Sequence, residues 1–231
     1  MKKNNLAIIT ARSGSKGLKD KNIKLLNGKP LIWYSINAAK EAEIFSEIMV
    51  STDSEKYAEI AKECGASVPF LRSRANSADG SSSWDTVKEV LKKYKEMDRE
   101  FDTICLLQPT SPLRTGKDIA DAYQLFNRKN ATTVMGVCEA DHSPLWENLL
   151  DDSLAMDHFS ETDKGDLRQQ LDTYYRVNGA IFIVRADYDI NNENMYVNSF
   201  AHIMPRERSI DIDTELDFML AEFIIAQKRM Q

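Results

Sequence analysis

The chain has 231 residues, 42% of them hydrophobic, enough to build a substantial apolar core in one large α/β domain. Its formal charge is −6, yet residues 1–30 hold eight Lys/Arg against Asp20 alone, which leaves −13 on the other 201 residues. An acidic body argues against general nucleic-acid or anionic-membrane binding, while a local cationic segment suits a small polyanion.

The start MKKNN is basic, but the apolar run after it is too short for a signal peptide or a membrane span. Cys64, Cys105 and Cys138 lack C-x-x-C spacing and have largely apolar neighbours, so they read as reduced residues of a cytoplasmic protein.

In chain order, a strand is predicted at Leu6 to Ile9, a helix near Pro30 to Ala42, a strand at Ile48 to Ser51 and a helix near Glu55 to Cys64. The rhythm continues with a helix near Ser83 to Tyr94, a strand at Thr103 to Leu107, a helix near Lys117 to Phe126 and a strand at Thr133 to Val137. This alternation implies an α/β fold with a mainly parallel sheet and helices on both faces.

From about Glu139 to Arg176 the pattern is polar and loses both periods, so residues 139–176 are expected to leave the sheet as an arm. The strand GAIFIV, Gly179 to Val184, restores the core. A strand-like SIDID follows. The closing helix has Leu216, Met219, Leu220, Phe223 and Ile224 at the spacing of one apolar face, expected to cover the sheet. All 231 residues are assigned to a single domain.

The turn TARSGSKGLKDKN follows the first strand, and so lies at its carboxyl end, where open α/β sheets bind ligands. Gly14 and Gly17 permit close backbone approach, Ser13 and Ser15 add hydroxyls, and Arg12, Lys16 and Lys21 supply charge suited to a triphosphate. The stretch fits neither G-x-x-x-x-G-K-[ST] nor G-x-G-x-x-G, and Asp53 is only a weak ribose-binding acid, so a hydride-transferring dehydrogenase is a minority reading.

The run A-R-S-G-S-K-G-L-x-x-K-N resembles the nucleotide-binding signature of the acylneuraminate cytidylyltransferases, the CMP-sialic acid synthetases. LLQPTSPLRTG at Leu106 to Gly116, RQQL at Arg168 to Leu171, NGAIFI at Asn178 to Ile183 and SIDIDTELD at Ser209 to Asp217 resemble further motifs of that family, in the same order. The resemblance implies a Rossmann-like nucleotide-diphospho-sugar transferase fold. It also implies transfer of CMP from CTP to a nonulosonic acid with release of pyrophosphate, using Mg²⁺ or Mn²⁺. A homodimer is implied too, with the arm as its contact and as part of the sugar pocket.

Residue by residue, the resemblance places Arg12, Ser15, Lys16 and Lys21 at phosphate, and Asn22, Arg72 and Ser83 near ribose or cytosine, with Ser13, Gly14 and Gly17 completing the nucleotide loop. It places Gln108, Arg168 and Asn178 at the sugar, with Thr110 and Ser111 beside Gln108. Asp211 and Asp213 fall at metal-binding aspartates. Arg12, Lys16, Lys21, Gln108 and Asp211 would carry the chemistry.

The residues supply physical reasons of their own. In Ile210-Asp211-Ile212-Asp213 an extended backbone puts both carboxylates on one side, as oxygen ligands for a hard cation, though Asp213 suits a helix N-cap equally well. Thr110 and Ser111 also suit plain satisfaction of a loop stiffened by Pro109 and Pro112, and Ser83 suits a helix cap. Arg114 reads as a brace. The resemblance makes N-acetylneuraminate the first acceptor; Trp146 stands where sialic acid-using members of the family commonly carry a lysine, which makes another nonulosonic acid, such as legionaminic acid, the alternative. A catalytically silent sugar-nucleotide-binding protein is the reading from a different class.

Overall fold

The computed structural model describes residues 4–14, 17–78, 80–156, 159, 172–188 and 194–228. Six strands form the main sheet: β1 (Asn5–Thr10), β4 (Glu47–Ser51), β5 (Thr103–Leu107), β6 (Thr133–Glu139), β7 (Tyr175–Arg185) and β8 (Ser199–Ile203). Two-residue strands β2 (Leu25–Leu26) and β3 (Lys29–Pro30) make a separate hairpin. The sheet order is β4-β1-β5-β7-β6-β8. β1 runs parallel to both β4 and β5, and β6 runs parallel to β8; β7 is antiparallel to both β5 and β6. Five strands therefore share one direction, and β7 alone opposes them.

Alternation along the strands builds two cores. Ala7 and Ile9 of β1, with Cys105 and Leu107 of β5, face the helices α1 (Leu31–Glu41), α2 (Glu55–Glu63) and α4 (Gly116–Lys129). Leu6, Ile8, Ile104 and Leu106 face the other way, onto Val87, Val90 and Tyr94 of α3 (Ser83–Glu96). Both α3 and α4 start in capping boxes, Ser82 with Asp85 and Thr115 with Asp118, which satisfy otherwise orphaned backbone N–H groups.

The carboxyl-terminal part departs from expectation in three ways. β7 begins at Tyr175, well before Gly179, because it pairs with the end of β6 through Glu139↔Tyr175 and Val137↔Val177. SIDID is extended but joins no strand; its alternation survives, with Ile212 buried and Asp211 and Asp213 exposed. Helix α5 (Glu215–Lys228) does not cover the sheet with the expected face. Phe218 (3% exposed) and Ala221 pack onto Leu18, Leu26, Leu31 and Ile212, while Leu216 and Phe223 stand 74% and 61% exposed, with Met219 and Leu220 also exposed. The helix carries two apolar stripes, and periodicity alone picked the one facing outward.

The arm lies at the end of the β6–β7 hairpin. Its described portion exposes Leu149 (93%), Leu150, Leu154 and Met156. No helix among the described residues is long and apolar enough to cross a membrane.

Candidate nucleotide-binding cleft

The chain leaves β1 for β4 on one side and then returns for β5 on the other, so the crevice beyond β1 and β5 is the topological switch point. A cleft of about 550 Å³ opens there, between Thr10 at the end of β1 and Gln108 just after β5.

One wall is the basic loop. Arg12, Gly17, Lys21 and Asn22 line the cleft, and the buried Asn22 closes the loop by donating its amide N–H to the Arg12 carbonyl at 3.0 Å. Ser13 turns elsewhere: its N–H and hydroxyl both donate to Asp53. Gly14 has open space where a Cβ would stand. At Gly17 a Cβ would come within 2.7 Å of the Asp213 carbonyl oxygen, so only glycine lets the loop meet the SIDID segment. Ser15 and Lys16 lie outside the described residues.

Opposite stands the Arg72 side. Arg72 donates Nη2–H to the Ser51 carbonyl at 2.6 Å and Nε–H to the Ser51 hydroxyl at 3.1 Å, and burial pushes its guanidinium down to about 10 despite the nearby Asp53 and Glu89. Asn76, Ser81, Ser82, Ser83 and Thr86 continue this wall at the amino end of α3. Ser82, not Ser83, is the cap, accepting from Asp85 N–H and leaving Ser83 facing the cleft. The helix terminus adds a positive partial charge to this wall.

The floor carries the carboxylates. Asp211 and Asp213 line the cleft with Thr110, whose carbonyl accepts the Ile212 N–H at 2.8 Å. Partial desolvation by the cleft walls pushes the Asp211 carboxyl above its ordinary value; the Asp213 charge adds to this, against a hydrogen bond with Thr110 and the charge of Lys21. Lys21 Nζ donates to the Ile212 carbonyl at 2.7 Å and to Asp213 Oδ1 at 3.1 Å. Asp213 does not cap α5. Thr214 and Asp217 do, each accepting the other's N–H, so the cap reading of Asp213 is replaced by a contact with Lys21.

At the far end, Gln108 rests against Gly179, where φ is +73° and a Cβ would stand 2.5 Å from the Gln108 carboxamide oxygen. The Gln108 carbonyl accepts from Arg114, a buried guanidinium that also donates to the Ala180 carbonyl at 2.8 Å and to Ser35, the bracing read from sequence.

Two expected sugar contacts are turned away from the cleft. Ser111 is fully buried and donates to the Asn178 carbonyl. Asn178, equally buried, spends its amide on Ser209 and Met204 and accepts the Ala180 N–H. Both fix the loop and the start of the β7 core rather than face a ligand. Arg168 lies outside the described residues. Sequence reading missed Thr10, Asn76, Ser81, Ser82 and Thr86; the serine run before a predicted helix was the available signal for two of them, Ser81 and Ser82.

The profile of the Cytidylyltransferase family matches residues 6–230. The chain belongs to this family. It is 38% identical over 225 residues to a CMP-N,N'-diacetyllegionaminic acid synthase of Legionella pneumophila, covering 94% of each chain. It is 40% identical over 218 residues to an N-acylneuraminate cytidylyltransferase of Streptococcus agalactiae, covering 93% of this chain but 51% of that relative, so it spans about half of the longer protein. Among solved structures, a CMP:2-keto-3-deoxy-manno-octonic acid synthetase complexed with CTP superposes with a TM-score of 0.74 at 17% identity, over 97% of this chain and 99% of the other. At that identity the likeness establishes the nucleotide-sugar transferase fold alone.

Proposed function

We propose that this cytidylyltransferase transfers CMP from CTP to the anomeric hydroxyl of a nonulosonic acid. The observation that carries the reading is the cleft itself: a basic loop, Arg72 and a helix amino terminus converge on a space floored by two carboxylates. Anionic phosphates suit the first set, and the two carboxylates would hold a hard divalent cation.

The anomeric oxygen attacks the α-phosphorus of CTP. A new P–O bond forms as the bond to the β-phosphate oxygen breaks, pyrophosphate leaves with its electron pair, and the hydroxyl proton passes to solvent. Arg12 and Lys21 hold the triphosphate and meet the charge that develops on the leaving group, with Lys16 of the same loop assigned to this task from the family motif. Asn22, Arg72 and Ser83 hold the ribose and base, while Gln108 and Thr110 face the acceptor at the opposite end. Asp211 and Asp213 fit Mg²⁺ or Mn²⁺, since two hard oxygen donors on one side of an extended segment leave room for phosphate and water to complete the shell. A bound divalent ion supplies Lewis-acid stabilisation of the phosphates.

N-acetylneuraminate is the first acceptor to test. Trp146 at the position where sialic acid-using members commonly carry a lysine, together with end-to-end similarity to the Legionella relative, favours a legionaminic acid as the second. The protein is proposed to act in the cytoplasm, consistent with three free cysteines. Pyrophosphate release is measured with CTP, Mg²⁺ and a panel of nonulosonic acids. Metal-dependent release with one member and a CMP-sugar product is expected; release undiminished by excess chelator, or no CMP-sugar from any member, overturns the proposal.

A further inference from the structure

The turn after β4 and the first turn of α2 reach the two ends of the basic loop. At the leading end Asp53 accepts two hydrogen bonds from Ser13, the backbone N–H at 2.8 Å and the hydroxyl at 2.9 Å. At the trailing end the Tyr57 hydroxyl donates to Asp20 Oδ1 at 3.0 Å, and Asp20 sits in the left-handed region at φ 52°. Tyr57 is buried, and burial, then its bond to Asp20, push its phenol well up, so it stays a donor. The same turn anchors Arg72 through Ser51 and Thr52.

Asp53 itself is not among the cleft-lining residues. A carboxylate this near a triphosphate site opposes anion binding by charge alone, so its placement is explained by what it holds. The paired bonds to one serine fix the backbone between Arg12 and Gly14, the point where the loop turns toward the cleft. Charge-assisted bonds to a backbone N–H are among the stronger hydrogen bonds available for this.

We propose that Asp53 is a positioning residue: acting through Ser13, it holds the basic loop in the shape that meets the triphosphate, with Tyr57 and Asp20 as a second pin. This rests on the reading of the cleft as a CTP site. It assigns Asp53 a place in nucleotide handling without contact to substrate.

The test compares the unaltered protein with Asp53→Ala, Ser13→Ala, the double variant and Asp53→Asn. CTP binding is measured by calorimetry without acceptor, CTP and acceptor KM values are obtained separately, and thermal unfolding is followed. Each single alanine variant is expected to weaken CTP binding and to lower kcat/KM for CTP by about tenfold, with the double variant no worse than either single because both remove one interaction. Asp53→Asn, which keeps an acceptor for the Ser13 N–H, recovers part of the loss. Acceptor KM and Tm stay near those of the unaltered protein.

Normal CTP binding in Asp53→Ala overturns the proposal. So do multiplying losses in the double variant, and so does a rise in both KM values together with a fall in Tm. If the unaltered protein binds CTP yet forms no CMP-sugar, the proposed reaction fails while the binding measurements still decide the role of Asp53. If it binds no CTP, both fall.

Discussion

At the scale of single residues, Asp213 shows how two roles that look alike in sequence separate in space. Its position before α5 suited a cap, but Thr214 and Asp217 perform that task and Asp213 instead accepts a hydrogen bond from Lys21. Asp213→Asn is therefore expected to leave Tm unchanged while raising the Mg²⁺ concentration needed for half-maximal turnover, with rates recovering as Mg²⁺ increases. Asp211→Asn, at the more desolvated carboxylate, is expected to cut turnover at least tenfold at any Mg²⁺ concentration. Turnover against Mg²⁺, run beside thermal unfolding, checks both. A stability loss in Asp213→Asn would return it to the helix terminus.

Among secondary-structure elements, α3 does more than cover the sheet. Its Glu89 accepts Ser73 N–H and Oγ–H at 2.8 Å each and an amide N–H of Asn76, so the helix fixes the segment that carries Arg72 and Asn76 to the cleft. Partial desolvation pushes the Glu89 carboxyl up, but the bonds from Lys93, Asn76 and Ser73 outweigh it and hold it down at about 2. A carboxyl depressed on folding adds stability above its ordinary value of 4.5, and that stability is lost as pH falls toward 2. The stability gap between the unaltered protein and Glu89→Gln should accordingly be full near neutrality and close across that acid range, as urea unfolding at a series of pH values would show.

Helix α5 offers the sharper contrast. Phe218→Ala should cost about 3–5 kcal/mol, and Phe223→Ala, on the outward stripe, within about 0.5 kcal/mol. Equal losses would mean that the outward stripe is covered.

These elements also mark where sequence was legible. Strands β1, β4, β5 and β6 and helices α1 to α4 were readable because buried runs and amphipathic stripes are local patterns. The cleft-lining Arg12, Gly17, Lys21, Asn22, Gln108, Thr110, Asp211 and Asp213 were reached through ordered motifs, and Arg72 and Ser83 only by carrying over the family's positions. Which stripe of α5 faces inward, whether SIDID finds a strand partner, and whether Ser111 and Asn178 look out or in are decided by distant partners such as Leu18, Met204 and Ser209. No local period records those contacts.

On the scale of the whole molecule, we propose that the arm meets a second copy of the chain. The exposed Leu149, Leu150, Leu154 and Met156 are the kind of surface that an interface covers. A homodimer through residues 139–176 is expected to persist to low micromolar concentration, and replacing Leu149 and Leu154 by serine to shift it toward monomer, measured by analytical ultracentrifugation. An active monomer across that range would rule out the arm as the contact.

The lone antiparallel strand bears on how such a protein can diversify. Because β6 shares the direction of β1 and β5, and β7 runs back from Tyr175, the chain both leaves and rejoins the sheet on the edge where the cleft opens. The segment inserted between β6 and β7 thus has two neighbouring anchor points, Glu139 and Tyr175. Such an insert can be lengthened, shortened or exchanged without shifting the register of the strands that present Arg12 and Gln108. On the proposed role of the arm in the sugar pocket, acceptor choice and nucleotide handling would be separately heritable. Grafting the corresponding segment of the Legionella relative between Glu139 and Tyr175 should move acceptor preference while leaving the CTP KM within about twofold.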